Sequence, residues 1–166
     1  MGKYQVTRSH HQPLYNALIE ILIFGNDVGS NNDEEPQEHH IFPKKFCEHH
    51  ISDWSQSRYS SNVMLNTMFL SSETNKHWDK MNPADQVKDI IETNGRDKAL
   101  VSLTPQFFSP KLLKICQENK NTVKDYEAFI DNRFNVLAKH LKINWEIGVQ
   151  NSTTSDEDFI EEIEED

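Results

Sequence analysis

The chain has no pair of closely spaced cysteines and no long hydrophobic run. Its two cysteines, Cys47 and Cys116, lie far apart among 166 residues, so they cannot supply the four thiolates of a Cys₄ zinc site. We expect two free, buried thiols rather than a disulfide. The most apolar run, residues 18–24, is far too short to cross a bilayer, and no basic segment with a cleavage site precedes it. These absences predict a cytoplasmic protein with no membrane partner.

Hydrophobic residues are also few, at 36% of the chain, which predicts that some of it lies outside the core. A length of 166 residues is enough for one domain, and we assign residues 1–150 to it. Residues 151–166 are expected to be an acidic, disordered tail.

The net charge of −10 is unevenly placed. Residues 156–166 carry eight acids and no base, and the rest of the chain has 19 acids against 17 bases. Such a body can still present a basic face, and local Lys and Arg decide affinity for phosphates more than the global charge does. The candidates for this face are Lys44, Lys45, Arg58, Lys76 and Lys80.

Apolar spacing and turn residues predict a mostly helical α+β protein with a two-stranded antiparallel sheet. Strands are predicted over residues 37–42, closed by Pro43, and over residues 63–70. A loop with a helical turn is expected between them, at residues 46–61. Helices are predicted over residues 12–24, from Ser71 onward, over 83–93, and over 126–141, with an extended break at 104–110.

The sequence His39-His40-Ile41-Phe42-Pro43, followed by Asn66 and Asn75, carries the strongest chemical signal. An imidazole with a pKa of about 6.5 is largely neutral in the cell and can take a proton from water. His40 is therefore our candidate general base. Alternation along a strand puts His39 on the opposite face, where we assign it to a metal ion.

The two later carboxamides complete this candidate site. Asn66 is expected to sit in the second strand and to fix the loop or the His40 tautomer, and Asn75 to bind the metal beside His39. Oxygen and imidazole ligands without thiolate favour Mg²⁺, with Mn²⁺, Ni²⁺ or Zn²⁺ as alternatives. We assign phosphate binding to three lysines, Lys44, Lys76 and Lys80.

Each of these residues also has an ordinary structural interpretation. The segment Glu38-His39-His40-Ile41 recurs as Glu48-His49-His50-Ile51, where Phe-Pro does not follow, and we interpret His49 and His50 as exposed loop residues. Alone, Asn66 would be a turn residue and Asn75 a helix-start residue, so only the ordered set indicates function. Aromatic residues are assigned to packing rather than to base stacking: Trp54, Trp78, Trp145, Phe107 and Phe108.

These motifs resemble the HNH (ββα-metal) endonuclease domain at the C-terminus of GmrSD-type restriction proteins. The matching segments are EHHIFPK at 38–44, NVMLNTMFLSSETNK at 62–76, DKMNP at 79–83 and YEAFIDNRFNVL at 126–137. The resemblance implies a small ββα-metal, or His-Me finger, centre packed among flanking helices. It also implies His40 as the base, Asn66 as the orienting residue, and His39 and Asn75 at the metal.

By this resemblance the chain is expected to hydrolyse DNA phosphodiester bonds in a restriction or phage-defence system. Two departures stand out: position 39 is His where many relatives have Asp or Glu, and the family's nucleotide-hydrolysing domain has no counterpart in the sequence. The second departure has three candidate explanations: a partner subunit that supplies target recognition or NTPase activity, a truncated chain, or an enzyme that nicks DNA by itself. The alternatives are a catalytically inactive, HNH-like binding module that acts with a partner protein, and an RNase or colicin-like toxin.

Overall fold

The computed structural model describes residues 36–158, together with Asn16, Ala17 and Glu20, and describes side chains as far as Lys142. Asn16, Ala17 and Glu20 are helical, within the helix predicted over 12–24, and the rest of that prediction lies outside the described residues. Within the described part, the chain is mostly helical, with six helices and one two-stranded antiparallel sheet. No helix there is both long and apolar enough to span a membrane.

The two strands are shorter than the sequence predicted. Strand β1 covers Gln37–His40 and β2 covers Thr67–Leu70, paired with Gln37 opposite Leu70 and His40 opposite Thr67. Every residue of β2 is buried, whereas β1 exposes its first two residues. The apolar residues that extended the predicted strands, Ile41 and Phe42, belong instead to the bend that follows β1.

Six helices accompany this sheet, and three of them follow a residue whose side chain caps the first turn. Their bounds are α1 Lys44–His50, α2 Ser72–Trp78, α3 Pro83–Asn94, α4 Arg96–Leu103, α5 Pro110–Gln117 and α6 Val123–Asp158. The side chains of Ser71, Asn82 and Ser109 accept hydrogen bonds from the first turns of α2, α3 and α5. Gly95 ends α3 with a φ of 79°, a conformation that glycine adopts at little cost.

The region between the strands and the region after α3 differ from the prediction. Helix α1 begins at Lys44 and extends into the loop expected at 46–61, so His49 and His50 lie at the end of a helix, although both are exposed as expected. Asn66 ends a short 3₁₀ helix, Met64–Asn66, and therefore lies just before β2 rather than inside it. Helices α4 and α5 were not predicted, and the expected break at 104–110 is reduced to a 3₁₀ turn, Thr104–Gln106, and the three residues after it.

Helix α6 closes the core against the other elements. Four of its apolar residues are buried, namely Tyr126, Phe129, Ile130 and Leu137, whereas Leu141 at the same spacing is 40% exposed. Phe107 and Phe108 are buried with them, as their assignment to packing predicted. The Phe42 ring contacts both Tyr126 and Phe129, with centroids 5.2 Å and 5.1 Å away. This helix continues across residue 150, and the proposed division between a domain and a tail stays a prediction.

Two buried polar residues hold the sheet in place. The Gln106 side chain accepts a hydrogen bond from the Phe69 N–H at 2.9 Å and donates one to the Phe69 carbonyl, along the outer edge of β2. Arg133, on the buried face of α6, donates to the carbonyls of Leu65 and Gln106, each at 2.8 Å. Burial lowers the pKa of Arg133 to about 9, so the guanidinium keeps its charge at neutral pH.

The two cysteines are free and buried, as predicted. Burial raises the pKa of the Cys47 thiol and of the Cys116 thiol to about 12 in each case. Neither thiol is therefore ionised at neutral pH.

Candidate metal centre

The two histidines of the motif end β1 and have different surroundings. His39 is 5% exposed and pairs with Met68 in the sheet, whereas His40 is half-buried and pairs with Thr67. The alternation of a strand sends their side chains to opposite faces. Burial lowers the pKa of both imidazoles, with Glu38 opposing this effect at His40, so both rings are neutral at pH 7.

His39 is joined to Asn75 by a side-chain hydrogen bond, although 36 residues separate them in the chain. The distance between His39 Nδ1 and Asn75 Oδ1 is 2.8 Å. Asn75 can reach this position because α2 packs against both strands, and Ser71 fixes where that helix begins. The structure thus brings together the two residues that the sequence assigned to a metal.

Their separation is compatible with binding to one small cation. Two ligands on adjacent corners of an octahedron, each about 2.1 Å from Mg²⁺, lie about 3.0 Å apart. The observed 2.8 Å between Nδ1 and Oδ1 is close to that value, although it also suits a direct hydrogen bond. Among the described residues, no group of three or more His, Cys, Asp or Glu side chains could hold a metal. A cation held by His39 and Asn75 alone would need water or substrate oxygens at its remaining positions.

Asn66 is fully buried and binds the backbone on both sides of the site. Its Oδ1 accepts from the Phe42 N–H at 2.9 Å, and its Nδ2 donates to the carbonyls of Phe42 and Ser61 at 2.9 Å and 2.8 Å. The Asn66 carbonyl also accepts from the Ile41 N–H at 2.9 Å. Asn66 was expected to fix either the loop or the His40 tautomer. Its side chain fixes the loop after β1 and makes no hydrogen bond to His40.

The sequence did not assign to the site three further residues, Trp78, Gln86 and Asp89. The Trp78 ring meets the His39 imidazole edge-on at 6.0 Å between centroids. Asn75 and the buried Gln86 partly oppose the lowering of the His39 pKa by burial. Asp89, on α3, accepts a hydrogen bond from Trp78 Nε1 at 2.8 Å and pairs with His77 at 3.1 Å. Hydrogen bonds to Trp78 and then to His77 hold the pKa of the Asp89 carboxyl below its usual value. Helix α3 thus supports the helix that carries Asn75.

The three lysines assigned to phosphate are all exposed but differ in position. Lys76 follows Asn75 on α2, whereas Lys80 lies two residues beyond the end of that helix rather than on it. Lys44 is the first residue of α1 and lies 3.8 Å from Glu48, in an exposed pair that is worth little energetically. Arg58, another candidate for the basic face, is exposed and is bound by Glu127 and Asp131.

Two cavities lie near these elements but outside the proposed metal ligands. One of about 400 Å³ is bounded by β2, α2, α3 and α4 and includes His77, Asp89 and Gln106. The other, of about 440 Å³, lies beside α1 and includes Lys44, Trp54 and Tyr59. His39, His40 and Asn75 line neither of them.

The second histidine pair has no comparable setting. His50 stacks on Phe46 with ring centroids 5.4 Å apart, and His49 is exposed on the same helix. Only the first copy of the repeated segment lies on a strand next to a carboxamide.

No protein-family model, curated protein sequence or solved structure matches this chain. The resemblance to the HNH nuclease domain therefore rests on the motif residues and their arrangement.

Proposed function

We propose that this protein is a divalent-metal-dependent HNH endonuclease that hydrolyses DNA phosphodiester bonds. The observation that carries the proposal is the 2.8 Å contact between His39 and Asn75, beside His40, on a strand–strand–helix unit. The two residues assigned to the metal, which are 36 residues apart in the chain, are in direct contact. A chance match of short motifs would not require that contact.

His40 is the general base in this proposal. It is half-buried, and its side chain makes no hydrogen bond within the described residues, which leaves a ring nitrogen available to a water molecule. Its lowered pKa keeps it in the neutral, proton-accepting form at cellular pH. Because β1 is paired to β2, the ring stands on a rigid element, as a base aimed at an in-line water must.

The other site residues are assigned to holding the cation, the loop after β1 and the substrate phosphates. His39 and Asn75 would hold the cation, with Mg²⁺ as the first choice and Mn²⁺, Ni²⁺ or Zn²⁺ as alternatives. When bound, the ion supplies positive charge that stabilises the transition state of phosphodiester hydrolysis. Asn66 keeps the bend after β1 in place, and we assign the exposed Lys44, Lys76 and Lys80 to the phosphates of the substrate.

By its resemblance to GmrSD-type proteins, we place the enzyme in a restriction or phage-defence system. A partner subunit that supplies target recognition or NTPase activity belongs to this proposal. So does the finer fold assignment, a ββα-metal centre within the mostly helical α+β fold.

A second candidate function is a catalytically inactive, HNH-like binding module. It is favoured by the near-complete burial of His39 and by the fact that its hydrogen bond to Asn75 needs no ion to form. In that case the pair would act only as a structural link between β1 and α2.

Cleavage of supercoiled plasmid DNA tests both candidates. The full chain would be incubated with Mg²⁺, Mn²⁺, Ni²⁺ or Zn²⁺, as wild type, His40→Ala and His49→Ala. We expect metal-dependent nicking that His40→Ala abolishes and His49→Ala, from the second copy of the segment, leaves unchanged. Circular dichroism would show that both variants keep the fold. Normal cleavage by His40→Ala removes the assigned base, and no cleavage with any of the four ions favours the binding module.

A further inference from the structure

The cavity beside α1 is rich in side chains that can donate hydrogen bonds. It has a volume of about 440 Å³, and its lining includes Lys44, Ser55, Ser60, Ser61 and Asn62. Among the described residues, Glu48 is the other charged residue that lines it. Such a lining suits a ligand that is rich in hydrogen-bond acceptors.

Several of these donors have no acceptor in the protein. The side chains of Ser55, Ser61 and Asn62 make no hydrogen bond within the described residues, and Ser60 Oγ only accepts one, from the Asn62 N–H at 3.2 Å. Ser61 is 6% exposed, so its hydroxyl has little open solvent to bind. A nearly buried polar group without a protein partner is usually satisfied by water or by a ligand.

The loop that carries these serines is fixed before any ligand binds. The Ser60 carbonyl accepts a hydrogen bond from the Tyr126 hydroxyl at 2.7 Å, and the Ser61 carbonyl accepts one from Asn66 Nδ2 at 2.8 Å. The same Asn66 side chain binds the backbone of Phe42, two residues after His40. One buried side chain therefore fixes the cavity wall relative to the candidate base, and little ordering is needed on binding.

The cavity is close enough to His40 to contact the same DNA strand. Lys44 is four residues after His40, so their Cα atoms are at most about 14 Å apart. A DNA strand carries one phosphate per about 3.4 Å of helix axis, so this distance corresponds to about four nucleotides. The other cavity does not suit a polyanion, because the carboxylates of Glu73 and Asp89 line it and none of the described lysines or arginines does.

We propose that the cavity beside α1 binds a phosphate of the DNA backbone that flanks the scissile bond, through Lys44, Asn62 and the hydroxyls of Ser55, Ser60 and Ser61. Phosphate oxygens accept hydrogen bonds, and lysine, serine and asparagine side chains are among the groups that bind them in protein–DNA complexes. The inference rests on the proposed function, because the scissile bond is placed at His40.

Glu48 is the partner that this phosphate would replace. Its carboxylate lies 3.8 Å from Lys44 Nζ, and both side chains are exposed. An exposed pair of this kind is worth little energetically, so Lys44 can exchange the carboxylate for a phosphate at little cost.

Binding of a short labelled DNA duplex, measured by fluorescence anisotropy in EDTA, tests this site without metal or cleavage. We expect Asn62→Ala to weaken binding by about 3–10-fold, because one hydrogen bond to a phosphate is lost. The matched control is Asn94→Ala, since Asn94 is also exposed, makes no side-chain hydrogen bond within the described residues, and lines the other cavity. The control should bind DNA as the wild type does.

A charge change at Glu48 should act in the opposite direction. Glu48→Gln removes the carboxylate that competes for Lys44, so it should tighten binding by about 2–5-fold. Its matched control is Glu92→Gln, since Glu92 lies 3.8 Å from Lys88 in an exposed pair and lines neither cavity. The control should change the affinity less than Glu48→Gln does.

The salt dependence of binding separates the charged contact from the neutral one. Lys44→Ala should reduce the slope of the logarithm of the binding constant against the logarithm of salt concentration by about 1. Asn62→Ala should leave this slope unchanged, because it removes no charge. Circular dichroism would show that each variant keeps the fold.

The failure of this inference and that of the proposed function are distinguishable. If Asn62→Ala binds DNA as Asn94→Ala does, or Glu48→Gln as Glu92→Gln does, the inference is overturned even when the wild type cleaves plasmid. A wild type that does not bind the duplex overturns it as well. If both pairs differ as expected and the wild type cuts plasmid with none of the four ions, the phosphate site is supported and the proposed function is contradicted.

Discussion

Replacing Asn66 by alanine should destabilise the protein strongly. The side chain makes three hydrogen bonds, all to the backbone of Phe42 and Ser61, and all three residues are buried. The variant leaves the Phe42 N–H and the Ser61 carbonyl without this partner, and leaves the Phe42 carbonyl only the Cys47 thiol at 3.6 Å. Each buried group left unsatisfied costs about 1–3 kcal/mol. Some relaxation and entry of water are expected, so we estimate a total loss of about 3–5 kcal/mol. That is a large part of the roughly 5–15 kcal/mol that stabilises a domain.

Urea denaturation followed by circular dichroism measures this loss. With a slope of about 2 kcal/mol per molar urea, the midpoint should fall by roughly 2 M. The matched control is Asn62→Ala, because Asn62 is exposed and its side chain makes no hydrogen bond within the described residues. The control should stay within about 0.5 kcal/mol of wild type. A loss below about 1 kcal/mol for Asn66→Ala would refute the view that this side chain holds the two segments together.

Two further predictions concern ionisable groups. Hydrogen bonds from Trp78 and His77 lower the pKa of Asp89 in the folded state, so the ionised carboxylate stabilises the fold above the unfolded pKa of about 3.9. This stabilisation is lost as the pH falls through the folded pKa. In thermal melts, Asp89→Asn should therefore be less stable than wild type at pH 7, and the difference should shrink at pH 3; a constant difference would contradict the linkage. Burial raises the pKa of the Cys47 and Cys116 thiols to about 12, so both should react with a thiol reagent at pH 8 only after unfolding. Rapid labelling of the native protein would show that one of the two thiols is accessible.

The parts of the fold with strong local signals were predictable. Pro83 and Asn94-Gly95 mark both ends of α3, and the hydroxyl at Ser71 marks the start of α2. Helix α5 also begins with such a signal, Ser109-Pro110, although an extended break was predicted at 104–110. Helix α4 has a weaker pattern, since Ala99 and Leu103 are buried while Val101 between them is 73% exposed. Its apolar residues do not form one stripe.

The candidate site was predictable only in part, for a related reason. Residue types and order identified His39, His40, Asn66 and Asn75, because each type has a chemistry that the proposed reaction needs. Gln86 and Asp89 lie on an amphipathic helix, where a glutamine and an aspartate do not by themselves indicate a site. Their roles depend on what lies opposite them in the folded chain, and so does the position of Arg133 within an otherwise apolar helix face.

The bonding of Gln106 to Phe69 has a consequence for how this molecule meets other chains. An outer strand with free N–H and carbonyl groups invites another polypeptide to pair with it, which leads to intermolecular sheets and aggregation. In β2 the groups of Phe69 are already occupied by one amide side chain, fixed in turn by Arg133 at its backbone carbonyl. An incoming peptide would have to displace the buried Gln106 side chain before it could pair with β2 at Phe69. Gln106 therefore protects this edge of the sheet from strand addition.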